Sequence, residues 1–236
     1  MPARVPDGVC AQSRSGRAEW VDFSGVAQCA PHSIAVSFLH ESRLPMNLLD
    51  QRLFLWLNLS DQAPAWLMQL ALFGSTVWPK VMLGALLLAL VAGPAHWRRA
   101  ALHAVLAMLV VWLIVRGIST AWPQPRPFVL GVGQQWLAKE PSPSFPSSHA
   151  AMAWAVGAAA CWWARHPLAR AALLLSALLI AWSRVALGLH FPSDTLAGIL
   201  VGVLAAWATV ALTRLLAQRL GRGFREVKTP AIPRAS

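Results

Sequence analysis

The stretch Ser183-Arg184-Val185-Ala186-Leu187-Gly188-Leu189-His190-Phe191-Pro192-Ser193-Asp194 decides how this chain is read. It lies where one apolar run, Leu168 to Gly188, gives way to another, Ser193 to Leu216, through a tight turn at Leu187 to Pro192. Each run is long enough to cross a bilayer as a helix. Ionisable side chains are costly to hold at membrane depth, so Arg184, His190 and Asp194 are functional candidates from the outset. A bland reading exists for Arg184 and Asp194 alone, as a pair that terminates two helices. The added spacing to His190, and a second polar group at His149, favour a shared chemical task.

Working outward, a bilayer core of about 30 Å needs roughly 20 apolar residues in a helix. Trp78 to Ala95, Ala100 to Trp122, Ser148 to Ala164, Leu168 to Gly188 and Ser193 to Leu216 approach that length. Pro64 to Val77 is a shorter sixth run, and Leu48 to Leu59 reads as an interfacial helix with Trp56 and Phe54 on its apolar side. The expected architecture is all-α, an integral membrane six-helix bundle spanning residues 46–216. Residues 1–45 read either as a disordered cytoplasmic tail or as a gene-model extension ahead of a natural start at Met46. Residues 217–236 read as a basic cytoplasmic tail.

With 57% hydrophobic and 12% charged residues, the chain has too little polar surface to cover a soluble globule. A net charge of +11 raises the question of nucleic acid, but the basic clusters flank apolar runs and no soluble basic domain is available to form a groove. In residues 1–45, Arg4, Arg14, Arg17 and Arg43 cancel Asp7, Glu19, Asp22 and Glu41, so the whole excess lies downstream. There it reports orientation. Arg98 and Arg99, Arg165 and Arg170, and the group from Arg214 through Arg219, Arg222, Arg225 and Lys228 to Arg234 fall on one side, the cytoplasm by the positive-inside rule. The long loop Pro123 to Ser147 and the tight turn therefore face the periplasm or cell exterior, across the inner (plasma) membrane. Cys10, Cys29 and Cys161 are too few and too scattered for a disulfide framework, and no Cys/His spacing suits zinc.

Three polar groups share the outward edge: Arg126 in the long loop; Ser147, Ser148 and His149 at the start of a span; and Ser183, Arg184, His190 and Asp194 around the turn. Two histidines, two or three arginines and one carboxylate, without a metal-binding cluster, suit phosphoryl transfer to a histidine. Arginines match phosphate oxygens with forked donors. One histidine attacks while a carboxylate fixes its tautomer, and the other protonates the departing oxygen. The helix opening at Ser147 and Ser148 adds free N–H groups and a positive dipole end, which favour an anion.

The pattern Ser183-Arg184, five residues, His190, three residues, Asp194 resembles the third signature of the type-2 phosphatidic acid phosphatases at every fixed position. Pro146-Ser147-Ser148-His149 resembles the second signature, Pro-Ser-Gly-His, with Ser148 in place of Gly. Arg126-Pro127 resembles the end of the first signature, but the position seven residues earlier, a Lys in the family, is Ser119. Arg116, one helical turn before Ser119, is the candidate replacement; the alternative is that it snorkels to the interface. Arg126-Pro127-Phe128 and Ser144-Phe145-Pro146-Ser147 are similar to the undecaprenyl-diphosphate phosphatase branch.

The resemblance implies the six-helix fold shared with haloperoxidases, and a membrane setting in place of their soluble one. It implies that His190 forms a phosphohistidine, Asp194 orients it and His149 serves as the acid. Arg126, Arg184 and Ser147 would hold the phosphate, aided by the N-terminus at Ser148, with no metal or cofactor. Undecaprenyl diphosphate is the expected substrate, with phosphatidylglycerophosphate or phosphatidate as the alternative; a non-catalytic lipid-phosphate binder or transporter would need the arginines but not His190 and Asp194 in register. The remaining polar residues have structural readings. His96, His103 and His166 read as interfacial, His32 and His40 fall in the leader, Lys139 and Glu140 read as a solvated loop pair, with contact to a headgroup as the alternative, and most of the thirteen Trp read as membrane anchors.

Overall fold

The computed structural model describes residues 47–227, with side chains described as far as Arg219. The expected leader with Met46, and Lys228 and Arg234 of the expected tail, lie outside the described residues. The described residues form helices α1 (Leu48–Leu57), α2 (Ala65–Thr76), α3 (Trp78–Ala92), α4 (Ala95–Ala121), α5 (Ser148–Trp163), α6 (Pro167–Ala186) and α7 (Pro192–Val227), with a 3-10 turn at Pro127–Leu130 and no strand. Helix α7 continues through residues 217–227, where a tail was expected.

Alanine-rich α5 is the centre, packed by α4, α6 and α7. Its buried residues include Ala150, Ala151, Ala155, Gly157 and Ala159, while Leu113, Trp112, Leu175, Leu200 and Trp207 point outward and are more than half exposed. Small residues inside and large apolar residues outside make sense only when the surrounding solvent is lipid, where close backbone approach replaces the hydrophobic effect between helices. Gly198 and Gly202 of α7 supply that approach. A Cβ on Gly198 would stand 2.5 Å from the Ser147 carbonyl oxygen, and one on Gly202 would collide with the Ala151 carbonyl.

Among the described residues three helices, α4, α6 and α7 as far as Arg219, are long and apolar enough to cross a membrane, or four spans if α2 and α3 count as one. The protein is thus multi-pass, but the six-span expectation changes where its first two runs meet. The expected spans Pro64 to Val77 and Trp78 to Ala95 form one path, bent by 42°. Pro79, in the first turn of α3, lacks the N–H that would continue α2. Along this path Ala71 packs near Ala186 and Leu189, Gly74 meets Leu179, and Met82 packs on Ala177 and Ile180. The path therefore descends α6 without turning back. Helix α5, at 16 residues, extends about 24 Å at 1.5 Å per residue, shorter than a bilayer core.

Because α2 and α3 descend together, α1 lies at the same end as the α6–α7 turn. Leu59 N donates to Ala186 O at 3.0 Å, and Asp50 accepts from Ser193 N at 2.9 Å. Phe54 and Trp56 do not share a face: Phe54 is fully buried edge-on against Phe191, whereas Trp56 is 81% exposed.

Candidate active site

The local structure of the α6–α7 turn explains the five-and-three spacing. Gly188 N donates to Val185 O and Leu189 N to Arg184 O, each at 3.0 Å, which closes α6 with Gly188 in the left-handed region at φ 77°. A side chain at Gly188 would also strike the carbonyl of Gln134. Four residues after Gly188, Pro192 opens α7, a favoured first helical position. The Asp194 Oδ2 reaches back to accept from Phe191 N at 2.9 Å, as the third residue of a capping box does. His190 is thereby fixed between the end of one helix and the start of the next.

Around His190 the hydrogen bonds set its tautomer. Arg126 Nη1 lies 2.9 Å from Nε2 and 2.9 Å from Leu189 O. A guanidinium can only donate, so Nε2 presents its lone pair and Nδ1 carries the proton. Nδ1 faces Ser144 Oγ at 3.3 Å and Asp194 Oδ2 at 3.6 Å, the second contact being longer than a normal hydrogen bond. Ser144 Oγ in turn donates to Asp194 Oδ2 at 2.5 Å. Ser144, Asp194 and His190 are all buried. Burial pushes the His190 pKa down to about 4; the Asp194 contact opposes this and Arg126 reinforces it. The imidazole is therefore neutral and nucleophilic at neutral pH.

The phosphate-binding candidates converge from three elements. Arg126, just before the 3-10 turn, is held by Ser142 O at 3.0 Å and Pro143 O at 3.2 Å. Burial lowers its pKa and Asp194 pulls it back up. Arg184 is buried in the last turn of α6, with Nη1 donating to Ser75 Oγ and Nε without a protein partner. Ser147, the residue capping α5, donates its N–H to Asp194 O at 3.0 Å, and its buried Oγ also has no partner. Arg184 Nε and Ser147 Oγ are two buried polar atoms left without a protein partner, which makes this group a candidate phosphate cradle.

His149 sits in the first turn of α5, exposed at the mouth and within electrostatic reach of Arg184 and His190. Ser148 is half-buried beside it. Arg116 is not brought to the cluster: its side chain is exposed and forms no hydrogen bond with these residues. Ser119, in the place of the family Lys, donates to Phe145 O at 3.0 Å. Two residues assigned no role from sequence belong here: Ser144, between His190 and Asp194, and Ser75, on Arg184. The partner of each is far along the chain, so spacing gave no signal for either. Among the described residues no group of three His, Cys, Asp or Glu side chains converges as a metal site.

Residues 100–217 match the PAP2 superfamily. The chain is 30% identical over 178 residues to the Escherichia coli (strain K12) protein named "Putative undecaprenyl-diphosphatase YbjG", which covers 73% of this chain and 86% of that protein. This chain belongs to the PAP2 superfamily. A shorter PAP2-like segment of 85 residues is 40% identical to phosphatidylglycerophosphatase B of the same organism, covering 35% of this chain and 32% of that protein. The PAP2 fold is also that of LpxE from Aquifex aeolicus, with a TM-score of 0.59 and 25% identity, over 71% of this chain and 98% of that one. The transmembrane PAP2 type phosphatidylglycerolphosphate phosphatase of Bacillus subtilis matches in fold alone, with a TM-score of 0.52 and 18% identity, over 84% of this chain and 94% of that one.

Proposed function

We propose that this PAP2 phosphatase removes the terminal phosphate of a membrane lipid diphosphate, undecaprenyl diphosphate, and leaves the lipid monophosphate. The observation that carries the chemistry is the unprotonated Nε2 of His190, which accepts from Arg126 while Nδ1 faces Ser144 Oγ, itself bonded to Asp194. A binding protein needs the arginines but has no use for an oriented nucleophile. In the first step Nε2 attacks the terminal phosphorus, the bond from phosphorus to the bridging oxygen breaks, and His149 donates a proton to that oxygen. In the second, water attacks the phosphohistidine, His149 takes the proton, and the P–N bond breaks to release inorganic phosphate. Arg126, Arg184, Ser147 Oγ and the backbone at Ser147 and Ser148 bear the charge on the transferring group. These groups take the role a metal would fill, so the reaction is proposed to need none.

The bent α2–α3 path, α4, α5, α6 and α7 make five crossings in this reading. Arg98, Arg99, Arg165 and Arg170 lie at the end opposite the site, which supports a plasma-membrane protein with its site facing the periplasm or exterior. The substrate assignment draws on the likeness to YbjG over most of both chains. Phosphatidylglycerophosphate is the second reading, favoured by the 40% identical segment shared with phosphatidylglycerophosphatase B. Phosphate release by the purified protein in detergent with EDTA tests both. Release from undecaprenyl diphosphate, abolished by His190→Ala, is the expected result. Preference for phosphatidylglycerophosphate overturns the substrate, and activity retained by His190→Ala overturns the mechanism.

A further inference from the structure

The family Lys is missing, and Ser119 in its place spends its hydroxyl on Phe145 O and carries no charge. The long loop offers another cation. It is pinned on one side by Trp136, whose N donates to Leu187 O at 3.1 Å and whose Nε1 donates to Leu59 O at 2.7 Å, and by Leu137 packed with Leu187 and Leu189. On the other side it is pinned by Ser142 and Pro143, whose carbonyls hold Arg126. Lys139 lies between these anchors, on the short stretch that must pass from the α6–α7 turn to Arg126.

Its side chain is exposed. It still feels the cradle: burial and then the positive charges of Arg126 and Arg184 pull its pKa down, against the neighbouring Glu140. Cations held this close to one another call for an anion. His149, also exposed, is within electrostatic reach of Lys139. The transferred phosphate has to reach His190, which is 2% exposed. A second phosphate bonded to it must lie farther out, toward the exposed side chains of His149 and Lys139.

We propose that Lys139 binds the second, non-transferred phosphate of a lipid diphosphate and so sets the preference for diphosphate over monophosphate headgroups. The proposal rests on the phosphatase reading above. It is tested by comparing kcat/KM on farnesyl diphosphate and farnesyl monophosphate for the wild-type protein, Lys139→Ala and Lys139→Arg. Losing one charge-assisted contact is expected to cost Lys139→Ala about tenfold on the diphosphate. On the monophosphate the loss stays below about threefold on the same scale, and Lys139→Arg keeps most of the preference. Equal losses on both substrates, or none on either, overturn the proposal. If the wild-type protein turns over neither farnesyl substrate, the phosphatase reading is judged on undecaprenyl diphosphate as above, and binding decides for Lys139. Inorganic pyrophosphate should then raise the Tm more than orthophosphate does, and Lys139→Ala should remove the difference; a difference that survives the substitution overturns the assignment.

Discussion

Ser144 donates its hydroxyl hydrogen bond to Asp194 at 2.5 Å while standing 3.3 Å from His190 Nδ1, so much of the coupling between the carboxylate and the imidazole runs through a serine. Ser144→Ala leaves Asp194 without its shortest contact and lets the ring of His190 rotate. The expected loss in kcat is about 10- to 100-fold, the kinetic equivalent of about 1–3 kcal/mol. Asp194→Asn should cost more, and the double variant should cost less than the two losses combined, because the residues form one network. Steady-state kinetics on the three variants measures this; full additivity would mean that Ser144 acts elsewhere.

The low pKa of His190, about 4, sets the acid limb of activity. The imidazole attacks only when Nε2 is free of a proton, so kcat/KM should fall as pH drops through about 4, and not through the ordinary histidine value of about 6.5. Stability follows the same sign. Between about 6.5 and about 4 the unfolded chain takes up the proton and the folded one does not, so the Tm should decline as pH falls across that window. A pH–rate profile and a thermal melt series in one detergent check both; an acid limb near 6.5 would mean that the ring is wetter than this site implies.

Arg184 depends on Ser75 at the end of α2. Ser75→Ala should leave the fold in place and raise KM several-fold by freeing the guanidinium. Arg184→Lys should lower kcat by at least about tenfold, because a single ammonium cannot replace forked donors. Substrate-saturation curves separate the two effects. A kcat loss without a KM change in Ser75→Ala would place Ser75 in the transition state and not in the positioning of Arg184.

Gly188 and Gly198 make a sharper pair of tests. Gly188→Ala meets both a positive φ and the Gln134 carbonyl, and Gly198→Ala places a methyl 2.5 Å from the Ser147 oxygen. Each should lower the Tm by several degrees, with losses on the order of 1–3 kcal/mol. Gly117→Ala, whose Cβ would meet no neighbouring atom, should leave the Tm nearly unchanged. Thermal unfolding in detergent compares the three.

Much of the site was legible because its spacing is local. Arg184, His190 and Asp194 occupy the end of one helix, the turn and the start of the next, so their order in the chain is nearly their order in space. Arg126 and Ser147 were legible through short motifs. Ser144 and Ser75 were not, since a serine hydroxyl acquires its role from a partner 50 or 109 residues away. Lys139 was read as solvated and its side chain is exposed, but nothing in its neighbours says that Trp136 folds the loop back onto Leu187. The span count was misread at Pro79, where a break in one path looks, in hydropathy, like the gap between two. Arg116 sits one turn from Ser119 along α4, yet sharing a helix face with the missing Lys did not bring its exposed side chain to the others.

Gly198 presses the first turns of α7 against the Ser147 carbonyl, while the Ser147 N–H is held by Asp194 O. The residue proposed to cradle phosphate and the residue proposed to aim the nucleophile are thus cast in one piece, and their alignment is settled at the moment the helices mesh. Catalytic competence becomes an outcome of assembly. A packing fault several turns below the mouth should surface as slower chemistry on substrate that still binds, so screens for affinity alone would pass over such lesions.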